Sequence, residues 1–204
     1  MNVMQLFMNK KRFFDLVLVC FAIILFLIPF LFLFVAVRLS SKGPALYWSD
    51  RVGLDNKIFK MPKFRTMRIE TPNLATHLLD NPQFFYTPIG SFLRKSSLDE
   101  IPQLWSILLG YMSFVGPRPA LFNQYDLIHL RSKAGVSLLL PGLTGWAQVN
   151  GRDELPIPKK VKLDIEYFEK LASETVTASK YISKLVVEAA NKLPSSEKIF
   201  PLSG

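Results

Sequence analysis

The chain has 204 residues, with 25 Lys and Arg against 16 Asp and Glu and a net charge of +9. That length suffices for one ordinary domain with its own core, and the positive excess favours phosphates, nucleic acid or an anionic membrane surface as partners. The single cysteine, Cys20, excludes an internal disulfide or a cysteine-based metal site, and His77 and His129 lack metal-ligand spacing.

Residues 16–37, LVLVCFAIILFLIPFLFLFVAV, carry no charged or strongly polar side chain. At about 1.5 Å per residue this run gives about 33 Å of helix, enough to cross a hydrocarbon core of about 30 Å. It is too long for the apolar region of a cleaved signal, and no small-x-small cleavage site follows it. Pro29 sits near its middle, where it removes the bond to the Leu25 carbonyl. Both flanks are positive, with Lys10, Lys11 and Arg12 before the run and Arg38 and Lys42 after it. A straight span satisfies the positive-inside tendency at one end, whereas a helix that bends and returns satisfies it at both. Proline also occurs in ordinary spanning helices, so the residues themselves leave both topologies open.

Past residue 40 the composition is that of a soluble domain. Residues 40–55, with Gly43-Pro44 and Gly53, read as loop, and IFKMPKFRTM (58–67) reads as a short strand. Lys57, Lys60, Lys63, Arg65 and Arg68 make the densest basic cluster, suited to a lipid headgroup, a phosphate or simply solvent. Residues 71–90, with three prolines, read as an irregular connection.

SLDEIPQLW (97–105) places Asp99 and Glu100 two residues before Pro102. Ser97 and Glu100 have capping-box spacing, while Pro102 fits best within a first helical turn. Asp99 is therefore expected at or beside a helix N-terminus, where a carboxylate is stabilised, its pKa is lowered and a phosphate is held well. A carboxylate kept ionised there can act as a nucleophile or a metal ligand. Ile101, Leu104, Trp105, Leu108 and Leu109 recur at helical spacing behind it.

In GPRP (116–119) the prolines fix the backbone around Arg118, presenting its guanidinium for bidentate phosphate recognition or for pairing with an acid. Residues 121–133 read as helix. GLTGWAQVNGR (142–152) combines three glycines with Thr144, Gln148, Asn150, Arg152 and a stacking Trp146, a composition suited to a nucleotide or sugar phosphate. Neither a P-loop nor a dinucleotide fingerprint occurs. Amphipathic helices are expected over 159–171 and 180–193, and the whole reads as mostly α with a small β component.

Taken together, KFRTM (63–67), SLDEIPQLW, SFVGPRP (113–119) and PGLTGWAQVNGR (141–152) resemble the bacterial sugar transferase family, the monotopic phosphoglycosyl transferases. The resemblance implies transfer of sugar-1-phosphate from a UDP-sugar to undecaprenyl phosphate, with release of UMP and a requirement for Mg²⁺. It implies Asp99 as the nucleophile, with Glu100 as the adjacent catalytic acid. It implies phosphate or substrate contacts from Lys63, Arg65, Arg118, Thr144, Gln148, Asn150 and Arg152, and Asp99 as a residue that could meet the metal. It implies a re-entrant helix-break-helix at Pro29 (residues 1–39) and a membrane-associated α/β catalytic domain with amphipathic interfacial helices (40–170). Residues 171–204 carry no assigned role. Such an enzyme would work at the cytoplasmic face of the bacterial inner membrane with both termini cytoplasmic. It would feed downstream glycosyltransferases and would need no nucleic acid.

Two rival classes differ from this expectation. A non-catalytic membrane-anchored basic module would bind anionic lipid or nucleic acid without using Asp99. A glycoside hydrolase is disfavoured, because adjacent helical residues point about 100° apart and cannot face each other across a sugar.

Overall fold

The computed structural model describes residues 3–71, 81–151 and 155–173. Helix α1, Val3–Ser40, is 38 residues long, and its 9–40 stretch is long and apolar enough to cross a membrane. The helical assignment runs through Pro29 without interruption, so the helix-break-helix expected from the sequence is not a break in secondary structure. Anchoring on both sides of the proline accounts for this. Val19, Leu33 and Val37 are buried, and full burial of one such side chain contributes about 1.5–3 kcal/mol, together more than the roughly 3 kcal/mol an internal proline costs.

Both halves of α1 rest on the same globular body. Val19 joins a core cluster with Phe59, Met61, Leu104, Ile107 and Met112. Near it, the Arg12 guanidinium donates to the Leu108 carbonyl at 2.7 Å, and the Phe114 amide donates to Asp15 Oδ1 at 3.2 Å. Lys11 also donates to the Ser113 hydroxyl. Beyond Pro29, Leu33 and Val37 pack with Ala45, Phe64 and Leu93, and the Phe30 and Phe64 rings lie 5.2 Å apart. Between the two anchors, residues 24–29 are exposed on every face. The outward side of α1 carries Phe13, Phe14, Phe21, Ile24, Ile28, Phe32 and Leu39.

Strand β1 (Leu46–Val52) pairs antiparallel with β2 (Ile58–Phe64), from Leu46 opposite Phe64 to Val52 opposite Ile58. The loop expected over 40–55 is thus half strand. Its alternation was hidden because Ser49 and Asp50 interrupt the apolar pattern, yet Ser49 is buried. Cross-strand pairing puts Tyr47, Ser49 and Arg51 on one face of this ribbon with Lys63, Met61 and Phe59. Met61 and Phe59 face the core from there.

Helix α2 (Gly90–Ser96) is followed by a 3-10 turn, Leu98–Gln103, and by α3 (Leu104–Leu109), which Gly110 ends at φ 88°. Short strand β3 (Ser113–Val115) runs parallel to β4 (Gly142–Thr144). Helix α4 (Tyr125–Lys133), the single turn α5 (Trp146–Val149) and α6 (157–173) complete the fold. Helices α4 and α6 meet through Ala120, Leu127 and Val161 with Ile128, Ile157 and Ile165. The architecture is mostly helical with two small sheets. The helix expected over 180–193 lies outside the described residues, as does most of 171–204.

Candidate active site

The acids are delivered by an abrupt reversal. Ser97 adopts a left-handed conformation (φ 58°), closing α2 through its amide to the Arg94 carbonyl at 3.3 Å. From that geometry its side chain makes no cap, so the capping box read from the sequence does not form. The 3-10 turn begins instead at Leu98, the Glu100 amide bonding the Ser97 carbonyl at 3.1 Å, with Pro102 inside the turn. The turn packs against β2 and presents both acids toward Lys63.

The two carboxylates end in different environments. Glu100 Oε1 accepts from Lys63 Nζ at 2.9 Å and from Arg118 Nη2 at 3.0 Å. Burial alone would raise its pKa, but the charges and hydrogen bonds of Lys63 and Arg118 outweigh that and hold it at about 2. Asp99 is 7 % exposed and has no ion pair among the described residues. Burial, reinforced by the Glu100 charge, raises its pKa against the pull of Lys63 and Arg94. This reverses the lowering expected from a helix start, since burial beside a second carboxylate exceeds the dipole of a single 3-10 turn. Burial likewise lowers the Lys63 pKa, as do Arg118 and Arg51, while Glu100 and Asp99 oppose the shift.

Arg118 is held by its main chain. The Pro117 carbonyl accepts from the Gly142 amide at 2.9 Å, the Arg118 carbonyl from Arg131 Nη1 at 2.7 Å, and the Pro119 carbonyl from Arg51 Nη1 at 3.1 Å. Arg131 is itself gripped by Asp164 Oδ2, at 2.9 Å from Nε and 2.7 Å from Nη2. Gly116 and Gly142 lie so close that neither has room for a Cβ, and Gly145 packs on the Gly116 carbonyl. Gly116, Gly142 and Gly145 therefore join the 116–119 loop to the 141–145 loop.

The remaining expected residues are placed unevenly. Arg65 Nη1 donates to the Lys42 carbonyl at 3.0 Å, at the turn between α1 and β1, and is not brought to the acids. Gln148 Nε2 bonds the Leu143 carbonyl at 2.9 Å and Asn150 Nδ2 the Trp146 carbonyl at 2.8 Å, so both are engaged inside their own loop. Thr144 is exposed at the end of β4, and Arg152 lies outside the described residues. The structure therefore gathers Asp99, Glu100, Lys63 and Arg118. Sequence reasoning missed Arg94, Arg51, Arg131 and Asp164. A basic residue ending the helix before the acids was the available signal for Arg94; the others depend on tertiary contacts.

The residues fit a magnesium ion in one limited sense. No group of three or more His, Cys, Asp or Glu side chains that could hold a metal exists among the described residues. Mg²⁺ commonly takes one or two carboxylates together with substrate phosphates. Asp99, buried and without an ion pair among the described residues, can supply that single carboxylate, whereas Glu100 is occupied by two cations.

Comparison with known proteins identifies the family. The bacterial sugar transferase family model matches residues 5–186. The chain is 38 % identical over 162 residues to the uncharacterized sugar transferase EpsL of Bacillus subtilis, covering 79 % of each. It is 34 % identical over 181 residues to the exopolysaccharide production protein ExoY of Rhizobium meliloti, covering 78 % of this chain and 76 % of that one. It is 41 % identical over 170 residues to the UDP-glucose:undecaprenyl-phosphate glucose-1-phosphate transferase of Escherichia coli, covering 77 % of this chain. That match spans 35 % of the E. coli protein, and the matches to relatives from Streptococcus agalactiae, Xanthomonas campestris and Komagataeibacter xylinus span 30–37 % of theirs. With the family model covering most of its length, the chain belongs to the bacterial sugar transferase family.

Proposed function

We propose that this transferase moves sugar-1-phosphate from a UDP-sugar to undecaprenyl phosphate, releasing UMP, at the cytoplasmic face of the bacterial inner membrane. The observation that carries the reading is the inequality of the paired acids. Glu100 is neutralised by Lys63 and Arg118, while Asp99 is buried beside them without an ion pair among the described residues. That leaves one carboxylate not engaged by a cation beside positive groups suited to phosphate.

In the proposed reaction a carboxylate oxygen of Asp99 attacks the β-phosphorus of the UDP-sugar. The bond from that phosphorus to the bridging oxygen breaks, and UMP leaves with the electron pair. A phosphate oxygen of the lipid acceptor then attacks the phosphorus of the aspartyl ester, forming the lipid diphosphosugar and restoring the Asp99 carboxylate. Arg118 and Lys63 bind and neutralise the phosphoryl oxygens. Glu100 keeps both cations in place. Mg²⁺, when bound, supplies charge neutralisation on the diphosphate, with Asp99 as the residue that would hold it. Burial of Asp99 keeps water from the ester.

The membrane reading rests on α1. Lys11 and Val37 are 26 positions apart in the chain, about 39 Å along a straight helix, yet both contact the same globular body. A straight span would put these contacts on opposite sides of a bilayer. Attachment at both ends, with residues 24–29 exposed around, supports a helix that enters one leaflet and returns, leaving both termini cytoplasmic. The sugar-phosphate product would then pass to downstream glycosyltransferases of a glycoconjugate pathway.

The test is to incubate purified protein with labelled UDP-sugars and no lipid acceptor. Intact mass should rise by one sugar-phosphate and UMP should appear in equal amount. If no UDP-sugar gives UMP, or if Asp99→Asn still turns over, the covalent mechanism is wrong. Salt-sensitive vesicle binding that ignores Asp99, without UMP release, would instead favour the anchored basic module.

A further inference from the structure

Arg131 and Asp164 form a buried ion pair, 7 % and 1 % exposed, away from the reacting carboxylates. A buried pair is a poor source of stability, because desolvation offsets most of the Coulomb attraction. Helices α4 and α6 are already joined by an apolar seam of Leu127, Val161 and Ile165. The pair therefore calls for another role, and its third strong donor supplies one. With Nε and Nη2 on Asp164, Arg131 aims Nη1 at the Arg118 carbonyl, 2.7 Å away.

The acceptor is a distinctive one. Arg118 stands between Pro117 and Pro119, neither of which has an N–H to fix the loop by donation. Past Gly116, whose amide donates to the Thr144 carbonyl at 2.9 Å, the loop is held through its carbonyls, of which Arg118's is the central one. From the main chain fixed there, the Arg118 guanidinium reaches Glu100 Oε1 at 3.0 Å. We infer that Arg131, locked in orientation by Asp164, is a positioning residue that sets the Arg118 backbone so that its guanidinium is aimed at Glu100 and at the substrate phosphates. The phosphate part of this inference rests on the proposed function; the aiming of Arg118 at Glu100 does not.

A planar fork serves both partners from three separate nitrogen atoms. A lysine at 131 keeps the charge but offers its donors from one atom, and loses the fixed angle between the Asp164 contacts and the Arg118 carbonyl contact. Arg131→Lys should raise KM for the UDP-sugar about tenfold with a smaller fall in kcat, since uniform phosphate binding is what loosens. Added to Arg118→Ala, the same change should cost less than about twofold, because its effect acts through the side chain already removed. Asp164→Asn should show the same pattern in weaker form, and decides the matter if Arg131→Lys does not fold.

A readout independent of turnover is the Arg118 Nε–H resonance in ¹⁵N-arginine protein without substrate, assigned by its loss in Arg118→Lys. It should be dispersed in the wild type and collapse toward the free-arginine position in Arg131→Lys and Asp164→Asn. If these variants lower Tm but leave that resonance and KM unchanged, or if their kinetic effects multiply with Arg118→Ala, the pair is structural only and the inference falls. If the wild type releases no UMP from any UDP-sugar, the functional reading fails while the resonance still decides the positioning.

Discussion

Lys63 Nζ donates to Glu100 Oε1 across 2.9 Å, joining a strand to a carboxylate 37 positions later. Arg118 uses the same oxygen, so one acid holds two cations together. Glu100→Gln should loosen both, removing the charge that the half-buried Lys63 and Arg118 share. We expect UMP release to fall by about 10²–10³-fold, the range found when one preorganised electrostatic group is removed. Lys63→Met with Glu100→Gln should recover stability without recovering activity, as thermal unfolding and UMP assays would show.

The same contact has a pH signature. The Glu100 pKa is about 2 in the folded chain against an ordinary value of 4.5. A depressed carboxylate contributes stability that is complete above the unfolded value and is lost as pH falls through the folded one. The advantage of wild type over Glu100→Gln, about 3 kcal/mol by linkage, should hold above pH 4.5 and disappear as pH falls toward 2. Denaturant titrations in EDTA across that window check it.

Asp99 runs the other way. Its pKa is raised by burial and by Glu100, so ionisation destabilises the fold as pH rises through the folded value. Asp99→Asn should therefore abolish the sugar-phosphate adduct while leaving Tm near neutral pH equal to or above wild type. A lowered Tm would mean that Asp99 has a stabilising partner.

Gly142 sits against the Gly116 backbone with no space for a side chain. Gly142→Ala should push the two loops apart, costing about 1–3 kcal/mol by overpacking. It should also raise KM by moving Arg118. Unchanged KM alongside unchanged stability would mean that the loops yield without consequence for the site.

Topology is testable with cysteine labelling in a Cys20→Ser background. Lys10 and Lys42, the sites for Lys10→Cys and Lys42→Cys, flank the apolar run and are both exposed. Neither should react with an impermeant maleimide in intact spheroplasts, and both should react after lysis. Reaction of one alone before lysis would establish a straight span.

Several of these features were legible in the sequence for a physical reason. The apolar run, β2 and α6 announce themselves by composition or periodicity, and the motifs placed Asp99, Glu100, Lys63 and Arg118 in one site. Strand β1 was not legible, because Ser49 is buried by tertiary contact although its side chain is polar. Ser97 looked like a cap because spacing says nothing about φ. Arg65, two residues from Lys63 and in the same basic cluster, lies past the end of β2, where backbone pairing no longer dictates its direction. Arg131 and Asp164 are 33 positions apart, and nothing local marks them as partners.

The placement of Val19 among Phe59, Met61, Leu104, Ile107 and Met112 also bears on how the protein can be handled. The long apolar helix supplies part of the globular interior. A fragment trimmed at residue 40 to obtain a water-soluble enzyme would open one side of that interior and strip Ala45, Phe64 and Leu93 of Leu33 and Val37. Solubility is better sought by replacing largely exposed outward residues such as Phe13, Phe21, Ile28 and Phe32 than by shortening the chain.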